Sequence, residues 1–184
     1  VNNVTTVIPH VIFDCEFFTT GCFGPVIEGD ITDAACFGEN TGSIDLTITG
    51  EDPLTFDWDH LPGANDPEDV NNLTAGTYCV TVTDGNGNTA EDCFTVGEPA
   101  ALSLSTEPED ESCIDECDGA ITLTITGGTG PYTHNWADEP GPINPKDRNN
   151  LCDGEYCVTV TDDNGCTASV CDTINPGIEL SLEG

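Results

Sequence analysis

The stretch Gly76-Thr77-Tyr78-Cys79-Val80-Thr81-Val82-Thr83-Asp84-Gly85-Asn86-Gly87 returns 78 residues later as Gly154-Glu155-Tyr156-Cys157-Val158-Thr159-Val160-Thr161-Asp162-Asp163-Asn164-Gly165. Tyr, Val and Val take every second place, with Cys and Thr between them. A period of two is that of a strand with one buried face. The Asp-x-Asn-Gly behind it supplies the left-handed residues of a hairpin turn. A second strand is expected in each copy, from Thr89 to Val96 and from Thr167 to Ile174. The reading is two β-domains in tandem.

Working outward, the same alternation recurs upstream. Ile44, Leu46 and Ile48 point inward in the first copy, as do Ile121, Leu123 and Ile125 in the second. Leu54, Phe56 and Trp58 follow on the next strand, and Trp136 matches Trp58. About seven short strands per copy, separated by turns, predict an all-β chain of two tandem immunoglobulin-like β-sandwich domains. Residues 27–101 are the first repeat and 102–184 the second, with Leu102-Ser103-Leu104-Ser105 as the bridge. The second repeat ends on a similar Leu180-Ser181-Leu182, so both ends of the chain read as unfinished.

Residues 1–26 match neither copy and read as an N-terminal extended strand segment. Its run from Val4 to Phe18 is the most apolar in the protein, and Pro9 argues against a helix. Val4, Val7, Ile8, Val11, Ile12, Phe13, Phe17 and Phe18 suit a strand that needs a sheet to join. That sheet is either its own first domain or the sheet of a neighbouring copy.

Charge bounds the partners. Thirty-five acids face only Lys146 and Arg148, for a net charge of −33. Such a surface excludes nucleic acid, whose phosphates require a basic face. It also makes side-by-side contact between copies repulsive unless salt or cations screen it. No apolar run approaches the ~20 residues of a membrane-spanning helix.

Eleven cysteines in two small domains read as staples, which places the chain outside the cell or at its surface. Strand parity sorts most of them. Cys79 and Cys93 both face outward, and their midpoint is Asn86, the centre of the turn. Cys157 and Cys171 repeat this around Asn164. Each bridge closes a loop of about 15 residues, worth ~3 kcal/mol on a chain-entropy model. Cys117 and Cys152 occur only in the second copy, where Asn40 and Thr74 stand in the first, and so are expected to bond together. Cys166 faces inward and is paired with Cys113. Cys15, Cys22 and Cys36 remain, so one thiol stays free or bonds to another chain or segment.

The second copy contains Cys113, Gly127-Gly128-Thr129-Gly130-Pro131-Tyr132, Trp136, Gly154-Glu155-Tyr156, Val158, Val160, Asp162 and Asn164-Gly165-Cys166. This pattern resembles the SprB-type repeat of surface adhesins and other long secreted proteins of gliding Bacteroidetes. The first copy departs from it: Gly50-Glu51-Asp52-Pro53-Leu54 lacks the second Gly and the Tyr, and Asn88 replaces the turn cysteine. The resemblance covers the two copies but not residues 1–26. It implies an extracellular, tandemly repeated module with adhesive or fibrous roles and no catalysis.

The residues agree that no enzyme is expected. His10, His60 and His134 sit at unrelated places, and Glu109 and Asp110 fall in a Glu107–Glu116 loop that reads as solvated. No triad order, phosphate-binding glycine loop or zinc spacing appears. Asp84, Asn86, Asp162 and Asn164 offer oxygens at alternating positions, as calcium loops do, although Asp-x-Asn-Gly is also ordinary hairpin chemistry. Calcium is the one cofactor this pattern admits. Asn3 and Asn72 head glycosylation sequons, and Asp172-Thr173-Ile174 resembles an O-glycosylation site centred on Thr173. Two functions remain. One is a filament subunit whose partners are copies of itself, joined head-to-tail by strand complementation. The other is an adhesin that binds a glycan or surface through loops such as Glu51–Asp57 or Ala137–Asn150, or serves as a stalk spacer.

Overall fold

Strands with one apolar face need a second sheet to cover that face. The described residues build four three-stranded sheets to do this. A computed structural model describes residues 24–62, 66–114, 116–139, 141 and 144–178. The N-terminal segment, with Cys15, Cys22, Asn3 and the apolar run 4–18, lies outside the described residues.

Two units divide the chain: the second takes Pro99 onward together with Ala35–Phe37, and the first holds the remainder up to Glu98. In the first, β1 (Val26–Thr32), β2 (Gly42–Thr49) and β4 (Val70–Leu73) form one sheet in the order β1-β2-β4. The other is β3-β5-β6, from β3 (Thr55–Trp58), β5 (Gly76–Thr83) and β6 (Thr89–Val96). The second unit repeats this plan. Its strands are β7 (Ser103–Glu109), β8 (Gly119–Thr126), β9 (Thr133–Trp136), β10 (Arg148–Leu151), β11 (Gly154–Thr161) and β12 (Thr167–Ile174), in sheets β10-β8-β7 and β12-β11-β9. All neighbours are antiparallel. First, second and fourth strands against third, fifth and sixth is the order of an immunoglobulin-like sandwich without its D strand. Both units are therefore immunoglobulin-like.

Six strands per unit stand where about seven were expected. The connection between β3 and β4 carries Pro62 and Pro67, and its counterpart carries Pro140, Pro142 and Pro145. Proline cannot donate to a ladder. Just before β4 and β10, side chains extend the pairing of those short strands with β2 and β8: Asp69 Oδ1 accepts the Leu46 N–H at 2.9 Å, and Asp147 Oδ1 accepts the Leu123 N–H at 3.0 Å. The expected bridge at residues 102–105 is also different, because Ser103 onward is already strand β7.

Each core is built around its tryptophan. Trp58 is fully buried, donates Nε1–H to Pro67 O at 3.0 Å, and its backbone N–H reaches Asp66 Oδ2 at 2.8 Å. Trp136 has the same arrangement with Pro145 O at 2.9 Å and Asn144 Oδ1 at 2.8 Å. Burying an indole without a partner for its N–H would cost more than the ring gains at that edge. At the start of β5, the Tyr78 hydroxyl donates back to Thr74 O at 2.8 Å, and Tyr156 does so to Cys152 O at 3.0 Å. This is the tyrosine corner of immunoglobulin-like folds. In the first unit Gly29 of β1 sits where a Cβ would lie 2.6 Å from the Phe94 ring of β6, so that side of the sandwich closes without room for a side chain.

The alternation gives a direct expectation for β2. Leu46→Ala, at a buried position, is expected to cost about 2–5 kcal/mol in chemical denaturation, whereas Thr47→Ala next to it, exposed, stays within about 0.5 kcal/mol. Equal losses at the two positions would contradict the assigned faces.

Candidate functional site

The polar features of both units gather at the hairpin turns and at the disulfides. In the first turn Asp84 is buried, and its Oδ1 accepts the N–H groups of Asn86 at 2.9 Å and Asn88 at 2.8 Å. Its Oδ2 accepts Asn88 Nδ2 at 2.9 Å. Asp162 repeats the plan: Oδ1 accepts from Asn164 N at 3.0 Å and Cys166 N at 2.9 Å, and Oδ2 from Thr129 N at 2.9 Å. Gly87 and Gly165 follow at φ of 85° and 86°, the left-handed conformation that glycine adopts without strain. Both carboxylates are thus engaged by N–H donors and close the turns. Asn86 is exposed, and Asn164 Nδ2 donates to Ala35 O at 2.9 Å.

These donors set the acidity of the two groups. The Asn88 side-chain amide, aided by the Asn88, Asn86 and Gly87 amides and opposed by burial, holds Asp84 below the usual carboxylate range. Burial pushes Asp162 up, but the amides of Thr129, Cys166, Asn164 and Gly165 together outweigh it and leave the net shift downward.

The disulfides run Cys79–Cys93, Cys157–Cys171, Cys117–Cys152 and Cys36–Cys166. The first two join directly opposed residues of each hairpin, with Cα atoms 4.0 Å apart. Such closeness belongs to the non-hydrogen-bonded pairs of an antiparallel ladder. The fourth corrects the expected Cys113–Cys166 pairing. Segment Ala35–Phe37 lies with the second unit, where Asn164 binds its carbonyl, and this brings Cys36 rather than Cys113 to the Asn-Gly-Cys turn. Cys113 is a free, half-buried thiol.

Glu111 escaped the sequence reading, which placed it in a solvated loop. It is 4% exposed, and its N–H donates to Asn175 O at 3.2 Å just beyond β12. Oε1 accepts from Cys117 N at 3.2 Å and Asp153 N at 3.1 Å, whereas Oε2 is buried and unpartnered among the described residues. One signal was available. Ala34 occupies the matching place in the first unit, 3% exposed and bonded to Gly97 O at 2.9 Å, so the position is an inward one. Glu111, Cys117 and Cys152 have ligand atoms within 4.8 Å of one another, the one such group among the described residues.

The remaining candidates serve the fold or lie at the surface. His60 stands edge-on between Trp58 and Tyr78, with ring centroids 5.8 and 4.8 Å away. Arg148 lies over Trp136 at 5.3 Å and pairs with both oxygens of Asp138 at 3.0 and 2.9 Å. Asn72 and Thr173 are exposed. No described helix is long and apolar enough to cross a membrane.

The SprB repeat family matches residues 29–53 and 105–140, together about a third of the chain. Each unit carries a segment that matches the SprB repeat. These segments begin in the first strand of their units and run through the second, β2 and β8. SprB is a surface-adhesin repeat of Bacteroidetes. No curated protein matches the chain. Among solved structures, it is similar to the N-terminal eight immunoglobulin domains of Down Syndrome Cell Adhesion Molecule isoform 1.30.30. That match has a TM-score of 0.42 and 15% identity, over 84% of this chain and 25% of that one. The N-terminal four domains of Dscam1 isoform 6.44 match at 0.35 and 14%, over 86% and 47%. An amphioxus IgVJ-C2 molecule matches at 0.32 and 13%, over 88% and 93%. The chain spans half or less of the Dscam chains it matches. The fold assignment rests on strand order and the tyrosine corners. The two units also carry four disulfides among the described residues, which suit an oxidising, extracellular setting.

The turn carboxylates predict a pH dependence. A carboxyl with a lower pKa in the folded state adds stability that is fully present above the unfolded value, near pH 4, and is lost as pH falls through the folded value. Asp162→Asn is therefore expected to be less stable than the parent chain at pH 7, with the gap closing as pH falls from about 4 downward. Thermal melts of both proteins across that range check this; a gap independent of pH would remove the carboxylate from the account.

Proposed function

We propose that this chain is a structural subunit of an extracellular or cell-surface fibre, built from two SprB-like sandwiches and joined head-to-tail to further copies. The joining element is residues 4–18, in particular Val4, Val7, Ile8, Val11, Ile12, Phe13, Phe17 and Phe18, added as a strand to the next copy. The observation that carries the reading is the set of open sheet edges. Among the described residues every sheet has three strands with no further strand beside its outer ones, and β3, β4, β9 and β10 are only four residues long. An added strand satisfies the backbone groups of a sheet edge through main-chain hydrogen bonds. Those bonds do not depend on surface sign, which matters in a chain of net charge −33. Contacts of this heterologous type extend without closing.

The tryptophans support the same side. A glycan-binding loop would draw on exposed aromatic rings, and Trp58 and Trp136 are 0% and 1% exposed. In this reading Asp84 and Asp162 hold their turns rather than calcium, and the domain limits are 27–101 and 102–184 after an N-terminal joining segment.

Native sizing by light scattering, on the full chain and on one lacking residues 1–20, tests the proposal. The full chain should assemble, more so at high salt where charge is screened, and the shortened chain should stay monomeric. Assembly of both would rule out the donor strand; monomers in both would rule out this route to a polymer.

A further inference from the structure

Glu111, Cys117 and Cys152 occur together or not at all. The first unit has Ala34, Asn40 and Thr74 at the three matching places. A disulfide alone needs no buried carboxylate beside it, and Ala34 shows that the position closes well with a methyl group. The carboxylate that is present uses only half its capacity. Oε1 serves the two amides that flank the bridge, Cys117 N and Asp153 N, while Oε2 is buried with no partner among the described residues. An unpaired buried carboxylate oxygen is costly. The sulfurs of Cys117 and Cys152 and a Glu111 oxygen all lie within 4.8 Å of one another. Tetrahedral zinc, with Zn–S near 2.3 Å and Zn–O near 2.0–2.2 Å, would hold such atoms roughly 3.5–3.8 Å apart.

We propose that Glu111, Cys117 and Cys152 form a metal-ion site that exists only while the Cys117–Cys152 bridge is open, and that it takes a zinc-class divalent cation. Opening consumes two equivalents of a small thiol: the protein S–S bond breaks, two protein thiols form, and the small thiol leaves as its disulfide. The cation then displaces both thiol protons and is held by two thiolates and Glu111 Oε2, with its fourth position left for water. Closing is the reverse exchange with a small-molecule disulfide as oxidant; the thiolates give up two electrons, the protein bond re-forms and the cation is released. Glu111 Oε1 stays on the two amides in both states, so the loop need not be rebuilt between them. The other hairpin bridges lie on outward strand faces, with Cys93 and Cys171 exposed, and no carboxylate completes a ligand group with them among the described residues.

The test uses the full chain and Co2+ as an optical stand-in for Zn2+. Anaerobic titration is carried out on the oxidised protein and after limited treatment with a phosphine reductant. One Co2+ per chain should bind in the reduced form alone, with a thiolate-to-cobalt charge-transfer band that Zn2+ abolishes. Glu111→Gln, which preserves size, should weaken that affinity by about tenfold or more, and Cys117→Ser should remove the band. A second measurement needs no variant: Zn2+ should protect Cys117 and Cys152 of the reduced parent chain from alkylation, read by mass spectrometry. No band on reduction, a band indifferent to Glu111→Gln, or equal alkylation with and without Zn2+ would each overturn the site.

Discussion

The buried carboxylate at each hairpin turn is the constraint on which the rest of the structure depends. Asp84 and Asp162 gather amides that a tight turn would otherwise strand, and so set where the chain reverses. The reversal point fixes the register of the long hairpins, and in an antiparallel pair a slip of one residue exchanges buried and solvent faces. With register set, Val80, Val82, Val158 and Val160 go inward and the cysteines meet on the outside. The hairpin register, its buried valines and its outer staples Cys79–Cys93 and Cys157–Cys171 follow from one short polar motif written twice.

Around that hairpin each unit solves the same secondary problems with equivalent side chains. The indole N–H needs a carbonyl, supplied by a proline that has no donor of its own to satisfy. The backbone N–H of the tryptophan donates to a short polar side chain, Asp66 in one unit and Asn144 in the other. Elsewhere the copies diverge. Where the first unit packs Val70, the second has Arg148, which lies over Trp136 and is neutralised by Asp138 and Glu139. In a chain with thirty-five acids, one of two cations is thus committed to local structure.

Much of this was legible in the sequence because period-two alternation and Asx-Gly turns are local signals. The long hairpins and the facing of Cys79 with Cys93 needed nothing more than counting parity around Asn86 and Asn164. Three features were not legible, and each depends on contacts far apart in the chain. Cys166 was paired with Cys113 and Cys36 left without a partner, but the position of Ala35–Phe37 in the second unit sends Cys36 to Cys166, 130 residues away. About seven strands were expected per copy from the immunoglobulin-like pattern as a whole, and six are present among the described residues of each unit. Glu111 was read as solvated because its neighbours are acidic; only its match to buried Ala34 marks it as inward.

The bond between Cys36 and Cys166 has a mechanical meaning. It closes a covalent ring that contains ten of the twelve described strands, β2 through β11, with Val26–Thr32 and Thr167–Ile174 outside. Tension applied at the two termini passes from Cys36 to Cys166 through sulfur and bypasses the backbone between them. At about 3.5 Å per residue, roughly 450 Å of contour is withheld from stretching. Under load the described strands free to yield are the first and the last, β1 and β12, while the ten inside the ring are held.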